Sequence, residues 1–197
     1  MKFSNKYVKI LLGVMVVLFL FVPFMCRRPD VEALKMDQDI TKLIRILGWI
    51  EGEDARDALI EIGLPAVDPL IEALRKNNAD VAGFSAYALG QIGDSRAIEP
   101  LISALEHKQP SVGKASAAAL AEFGDSHSID AVIDKIRRIP DETPPRYKDN
   151  VSAHAYPYFQ ALAEFGFPGL EALNNARDEL DDVFLNQASE SVAGIIL

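Results

Sequence analysis

The stretch that decides the fold is ALAEFG, which occurs at residues 119–124 and again at 161–166. Related hexapeptides precede it: ALGQIG occupies residues 88–93 and ALIEIG occupies residues 58–63. The second and third copies lie 31 residues apart. A recurring phrase at a fixed period of this length indicates an array of structural repeats.

A second phrase follows each copy and reads as a helix. AVDPLIEAL (66–74), AIEPLISAL (97–105) and SIDAVIDKI (128–136) are each 31 residues apart, and DITKLIRIL (39–47) is a degenerate earlier copy. In the 97–105 copy, apolar residues fall at i, i+3, i+4 and i+7, which form one stripe on a helix.

The first phrase is the end of another helix and its stop signal. Gly63, Gly93, Gly124 and Gly166 close the four copies, and glycine readily takes the left-handed conformation found just past a helix C-terminus. Asp94 and Asp125 follow two of these glycines and are expected to cap the next helix. Because a single helical pair cannot bury its apolar face, we predict an all-α solenoid of about four to five stacked helical hairpins.

The pattern A-x-x-A-L-x-x-x-G-D followed by A-[IV]-x-P-L-[IL]-x-A-L resembles the HEAT-like repeats of the phycocyanobilin-lyase type. The resemblance covers about residues 39–176. Such repeats commonly carry an arginine after the helix-opening valine, which pairs with the aspartate of the turn. Here those positions are Ala82 and Gly113, so Asp94 and Asp125 are expected to act as caps unless another base reaches them.

The last copy arrives late and marks an insertion. Gly124 and Gly166 are 42 residues apart, and the surplus lies at residues 139–150, where Pro140, Pro144 and Pro145 oppose a helix. Pro157 is expected to delay or kink the helix that follows. The predicted organisation is an N-terminal segment (1–28), a linker (29–38) and a repeat domain (39–197) with an insertion at 139–150.

The N-terminal segment contains an uncharged apolar run, Ile10–Cys26, flanked by basic residues. As a helix its length is about 25 Å, at the short end of what crosses a bilayer. We predict an N-terminal hydrophobic helix that anchors the protein in a membrane, with the repeat domain extracytoplasmic. The alternative is a cleaved signal that leaves a secreted or periplasmic protein.

Charge and motifs exclude several classes of function. Residues 29–197 hold all 29 acidic residues against 15 basic ones, a formal balance of −14, which disfavours nucleic-acid binding. No histidine precedes a glutamate, as the di-iron HEAT-like hydroxylases would require, and the chain has one cysteine. Neither a G-x-S-x-G nucleophile motif nor a glycine-rich phosphate loop occurs. We predict no catalytic residue, metal or cofactor.

Two surface features are candidates for partner binding. The positions of the second helices that packing does not need register across the repeats as an acidic ridge: Asp68, Glu72, Glu99, Asp130 and Asp134, with Ser103 between them. Such a ridge suits a basic partner, although a solvated helix face has the same composition.

The second feature is the insertion and the residues after it: Arg146, Tyr147, His154, Tyr156 and Tyr158. Tyrosine and arginine are enriched at binding hot spots. The alternative is that the tyrosines fill an irregular junction between repeats. The predicted function is a membrane-tethered, non-enzymatic protein-interaction module; the alternative is a bilin-lyase-like enzyme or an accessory protein for cofactor attachment.

Overall fold

The computed structural model describes residues 30–49, 51–142 and 151–176, and within them the chain is helical, with no β-strand. Ten α-helices follow one another: α1 (Val31–Met36), α2 (Ile40–Ile46), α3 (Gly52–Ile62), α4 (Val67–Leu74), α5 (Ala79–Ile92), α6 (Ile98–Ala104), α7 (Pro110–Phe123), α8 (Ser126–Glu142), α9 (Val151–Glu164) and α10 (Phe167–Asn175). Short 3-10 helices at Leu64–Ala66 and Ser95–Ala97 lead into α4 and α6.

The helices form five hairpins arranged in two layers. The odd-numbered helices, here called A helices, pack each against the next, and so do the even-numbered B helices. Each of α2, α4, α6 and α8 also packs against the A helix that follows it. The arrangement confirms the predicted all-α fold and is that of a solenoid.

One buried position per helix repeats through the stack. On the A helices it holds Leu59, Leu89, Leu120 and Leu162, each 0% exposed. On α4, α6 and α8 it holds Leu70, Leu101 and Val132, also 0% exposed. Full burial of such a side chain contributes about 1.5–3 kcal/mol, so the repeated phrases record the core.

The A helices approach each other closely where small residues meet. A Cβ placed on Gly90 of α5 would lie 2.8 Å from the Cα of Ala119 on α7. The glycine is therefore required by the neighbouring helix, which is the close approach expected of these alanine-rich segments.

The turns between A and B helices are of two kinds. All four closing glycines have positive φ, as predicted, between 65° and 73°. Gly93 and Gly124 are left-handed, with ψ of 21° and 16°, and an aspartate follows each of them. Gly63 and Gly166 have ψ of −132° and −142° and are followed by Leu-Pro and Phe-Pro. In those two turns the glycine ends one helix and also begins the next, so the turn is one residue shorter.

Two predicted boundaries are wrong. α8 continues through Ile139 and Pro140 to Glu142, inside the predicted insertion, because Ile139 extends the buried stripe of the helix and is 5% exposed. α9 already begins at Val151 and contains Pro157, so the proline does not delay that helix. Residues 143–150 lie outside the described residues.

The predicted linker also contains structure. α1 lies within residues 29–38 and packs against α2 and α3. Lys35 forms ion pairs with Glu32 and with Glu61 of α3, and these contacts tie the short helix to the next hairpin. The hairpins therefore begin before residue 39.

The predicted single-pass membrane location needs correction. Throughout residues 30–49, 51–142 and 151–176, no helix has the length and apolar content to cross a bilayer. The longest, α8, has 17 residues and carries several charges, whereas a span needs about 20 largely apolar residues. The run Ile10–Cys26, on which the anchor and the N-terminal hydrophobic helix were predicted, lies outside the described residues.

Candidate functional site

The predicted acidic ridge lies on the exposed face of the B helices. Asp68 and Glu72 of α4 are exposed while Leu70 and Leu74 on the same helix are buried. Glu99, Ser103, Asp130 and Asp134 are exposed at the equivalent positions of α6 and α8. None of these side chains is needed for the core, so the face is available to solvent.

The sequence analysis missed one member of this ridge. Glu171 of α10 is exposed and occupies the position of Asp68, Glu99 and Asp130. The signal was present, since GFPGLEAL (166–173) repeats the pattern of GLPAVDPLIEAL (63–74). Four successive repeats thus carry a carboxylate at one position, here called the acidic column: Asp68, Glu99, Asp130 and Glu171.

Two members of the acidic column are paired across repeats. A guanidinium nitrogen of Arg96 donates to Asp68 at 2.9 Å, and His127 Nε2 lies 3.0 Å from Glu99 Oε1. Arg96 and His127 are themselves equivalent residues 31 positions apart. At the corresponding place next to Asp130 stands Pro168, which carries no charge, so the series of cross-repeat pairs ends there. The ridge is therefore less acidic at its first two repeats than the sequence predicts.

Arg96 also supplies the base that the turn aspartate was expected to lack. Its Nε and Nη2 donate to the carboxylate of Asp94 at 3.0 and 2.8 Å, and its backbone N–H donates at 2.9 Å. These hydrogen bonds hold the pKa of Asp94 below its usual value. Asp94 therefore both caps the 3-10 helix and joins a charged cluster with Asp68.

Asp125 is held differently. Burial raises the pKa of this carboxyl group, but hydrogen bonds from the hydroxyl and backbone N–H of Ser128 outweigh it, so the pKa is lowered. The capping role predicted for Asp125 is confirmed, with Ser128 as the donor.

The residues predicted around the insertion do not form one surface. Tyr158 is 4% exposed, and a Cβ on Gly113 of α7 would lie 2.7 Å from its hydroxyl oxygen, so this tyrosine fills the junction between α7 and α9. Tyr156 is 38% exposed and His154 is half-buried. Arg146 and Tyr147 lie outside the described residues.

A further exposed cluster was not recognised from the sequence. The guanidinium carbon of Arg56 on α3 lies 4.8 Å from the ring centroid of Tyr87 and 5.7 Å from that of Phe84, both on α5. Tyr87 is exposed, and Trp49 in the turn before α3 is 71% exposed. Tyr87 aligns with Ala118 of the next repeat, so no repeating signal marked it.

The described histidines serve the stack. His107 Nδ1 accepts from the N–H of Gln109, and its Nε2 donates to the carbonyl of Lys76, 31 residues earlier. His127 contacts Glu99. In the part of the chain that the structure describes, no three His, Cys, Asp or Glu side chains are grouped to hold a metal ion.

Comparison with known proteins agrees with this architecture. Residues 67–144 match the family model of HEAT repeats. One chain in the complex of CpcE and CpcF of phycocyanin lyase from Nostoc sp. PCC7120 has a similar fold, with a TM-score of 0.54 and 19% sequence identity. The match covers 77% of this chain and 96% of that chain. No curated protein matches the sequence significantly.

The paired helices and the family match define the class: an α-helical repeat protein. More particularly, this is a HEAT-like repeat protein. At 19% identity the likeness to the lyase chain shows the fold alone.

Proposed function

We propose that this chain is a non-enzymatic protein-binding scaffold whose partner contacts the exposed face of the B helices. The observation that carries the proposal is that this face is repeated in register over four hairpins and is not used by the core. Repeat stacks present such surfaces to extended partners. The similar chain from Nostoc is itself one component of a complex of two proteins.

The chemistry of the face favours a partner with a basic surface. The acidic column runs through four repeats, and Glu72 and Asp134 lie one helical turn from two of its members. Opposite charges across an interface raise the association rate and select the partner. The exposed Tyr156 and half-buried His154, together with Arg146 and Tyr147, are proposed as a second contact region at the insertion.

A lysine-rich peptide with lysine at every third residue is the probe for this proposal. The variant Glu72→Gln/Asp130→Asn/Glu171→Gln removes three charges and leaves the Asp68–Arg96 and Glu99–His127 pairs in place. Exposed charge pairs contribute about 0.2–1 kcal/mol each, so the affinity measured by fluorescence anisotropy is expected to fall by roughly threefold to a hundredfold.

The matched control removes the same charge from the A helices, as Glu53→Gln/Glu122→Gln/Glu164→Gln. Circular dichroism must show equal helicity for both variants. If the control weakens the peptide as much as the ridge variant does, binding follows net charge alone and the B-helix face is not the site.

A second candidate function is a bilin-lyase-like enzyme or an accessory protein for cofactor attachment, and the likeness to the phycocyanin lyase chain favours it. Its test is to mix the purified chain with phycocyanobilin and a phycocyanin subunit that lacks its chromophore. Faster formation of the covalent adduct would support this function and contradict the non-enzymatic proposal. An unchanged rate, with basic-peptide binding intact, would support the scaffold.

A further inference from the structure

The last hairpin leaves open a face that earlier hairpins cover. Gly90 on α5 faces the next A helix, where it meets Ala119. The equivalent residue on α7 is Ala121, 9% exposed, and on α9 it is Ala163, which is only partly buried. The side of α9 that would meet a further A helix is therefore apolar and incompletely covered.

α10 shows the same end effect. Leu173 is equivalent to Leu70 and Leu101, which are 0% exposed, yet it is only partly buried. By contrast, Asn174 is exposed where α4, α6 and α8 carry isoleucine, at Ile71, Ile102 and Ile133. The column of isoleucines thus ends at α10, whereas the apolar face of the A layer continues.

The residues that follow α10 repeat the composition of an A helix. When residue 184 is aligned with Val112 of α7, the buried positions of α7 correspond to small or apolar residues: Phe184, Leu185, Ala188, Ser189, Ser191, Val192, Ala193 and Ile195. The exposed Ala118 and half-exposed Lys114 correspond to Glu190 and Asn186. The first residue of α7 corresponds to Asp182, and the one before it to Asp181, a favoured N-cap type.

The lengths agree as well. α5, α7 and α9 have 14 residues each, and residues 182–195 supply the same number. α10 ends at Asn175, and the connection from a B helix to the next A helix takes four residues after α4 and five after α6. Six residues, 176–181, are therefore enough to bring the chain back to the A layer.

We propose that residues 182–195 form a sixth A-type helix that docks on the open face of α9, with Ser191 against Ala163. This contact reproduces the one between Ala119 and Gly90, two small residues that allow close helix approach. The docked segment covers the apolar end of the A layer and keeps that end from associating with a second copy of the chain. The proposal concerns the end of the stack and is independent of the B-helix partner surface.

Disulfide trapping in the full chain tests the contact. In a Cys26→Ser background, Ala163→Cys is combined with Ser191→Cys or, as the control, with Glu190→Cys, which points about 100° away around the helix. A disulfide needs Cα atoms about 4.4–6.8 Å apart, so mild oxidation is expected to close an intramolecular bond between residues 163 and 191 in the monomer. The control pair is expected to cross-link several-fold less.

Other outcomes overturn the proposal. Predominantly intermolecular disulfides would show that a second copy covers α9, and equal yields for both pairs would show that no defined helix docks there. Hydrogen exchange gives an independent reading. Leu185→Asp/Val192→Asp is expected to speed exchange in α9 and α10 by about tenfold or more while leaving α5 unchanged, and the exposed-face variant Asn186→Asp/Glu190→Gln is expected to change neither. Unchanged exchange in α9 for the first variant would contradict docking.

Discussion

Replacing Gly90 with alanine adds one methyl group at the closest point between α5 and α7. The new Cβ would lie 2.8 Å from the Cα of Ala119, 2.9 Å from its Cβ and 3.2 Å from its carbonyl oxygen. Two of these contacts are shorter than carbon atoms tolerate and involve the backbone or a Cβ, so no side-chain rotation can relieve them. The helices must separate locally.

Two effects of opposite sign decide the magnitude. In a helix interior alanine is favoured over glycine by about 1 kcal/mol. Overpacking a close helical contact costs about 1–3 kcal/mol. We therefore expect Gly90→Ala to lower the free energy of unfolding by as much as about 2 kcal/mol, despite the better helix propensity of alanine.

Gly83 provides the matched control because it lies on the same helix with nothing within 4 Å of an added Cβ. Gly83→Ala is expected to raise the free energy of unfolding by about 1 kcal/mol, since only propensity changes. For a chain of this size, that corresponds to a Tm increase of about 2–4 °C. Denaturant unfolding followed by circular dichroism measures both variants, and an equal m-value shows that the comparison is valid.

A third variant tests the cause. Ala119→Gly in the Gly90→Ala background removes one of the two shortest contacts, so partial recovery of stability is expected beyond the loss caused by the second glycine. If Gly90→Ala proves as stabilising as Gly83→Ala, the close approach of α5 and α7 is wrong.

Three further predictions concern single side chains. Ser85 Oγ donates to the carbonyl of Val81 at 2.7 Å whereas the equivalent Ser116 Oγ is buried without a hydrogen-bond partner; Ser116→Ala should therefore stabilise the protein by about 1 kcal/mol and Ser85→Ala should not, as thermal unfolding will show. Gly93 has a φ of 72° with open space around it, so Gly93→Ala should cost about 1–2 kcal/mol in denaturant unfolding from backbone strain alone, and no loss would mean that the turn is not left-handed. The lowered pKa of Asp94 implies stability that is present above the unfolded pKa near 3.8 and lost as the pH falls through the folded pKa; in acid titrations Asp94→Asn should be less stable at neutral pH and should lose less below about pH 4, and parallel curves would contradict this.

Much of the fold was accessible from sequence because repeated helices bury the same positions. The leucines of the ALAEFG phrase and of the B helices are wholly buried, and the glycines after them have positive φ. The boundaries around the insertion were mispredicted because burial of Ile139 outweighs the helix-breaking tendency of the adjacent Pro140. Propensity reports one residue, whereas packing acts on a whole face.

The candidate site was only partly accessible. Register along the repeats identified the exposed positions of the acidic ridge, because helical period fixes which residues leave the core. It could not show that Arg96 joins Asp68 to Asp94 or that His127 reaches Glu99, since these contacts cross from one repeat to the next. Nor could it separate the buried Tyr158 from the exposed Tyr156, which depends on the space left above Gly113.

By itself, the sequence determined that this chain is a stack of helical hairpins, because period, apolar stripe and closing glycine are local properties that recur together. Tertiary structure alone decided which charges meet, which tyrosine is buried and where the glycine at position 90 is indispensable. Those outcomes depend on distances between helices that are far apart in the chain, and no local pattern encodes a distance of a few ångströms.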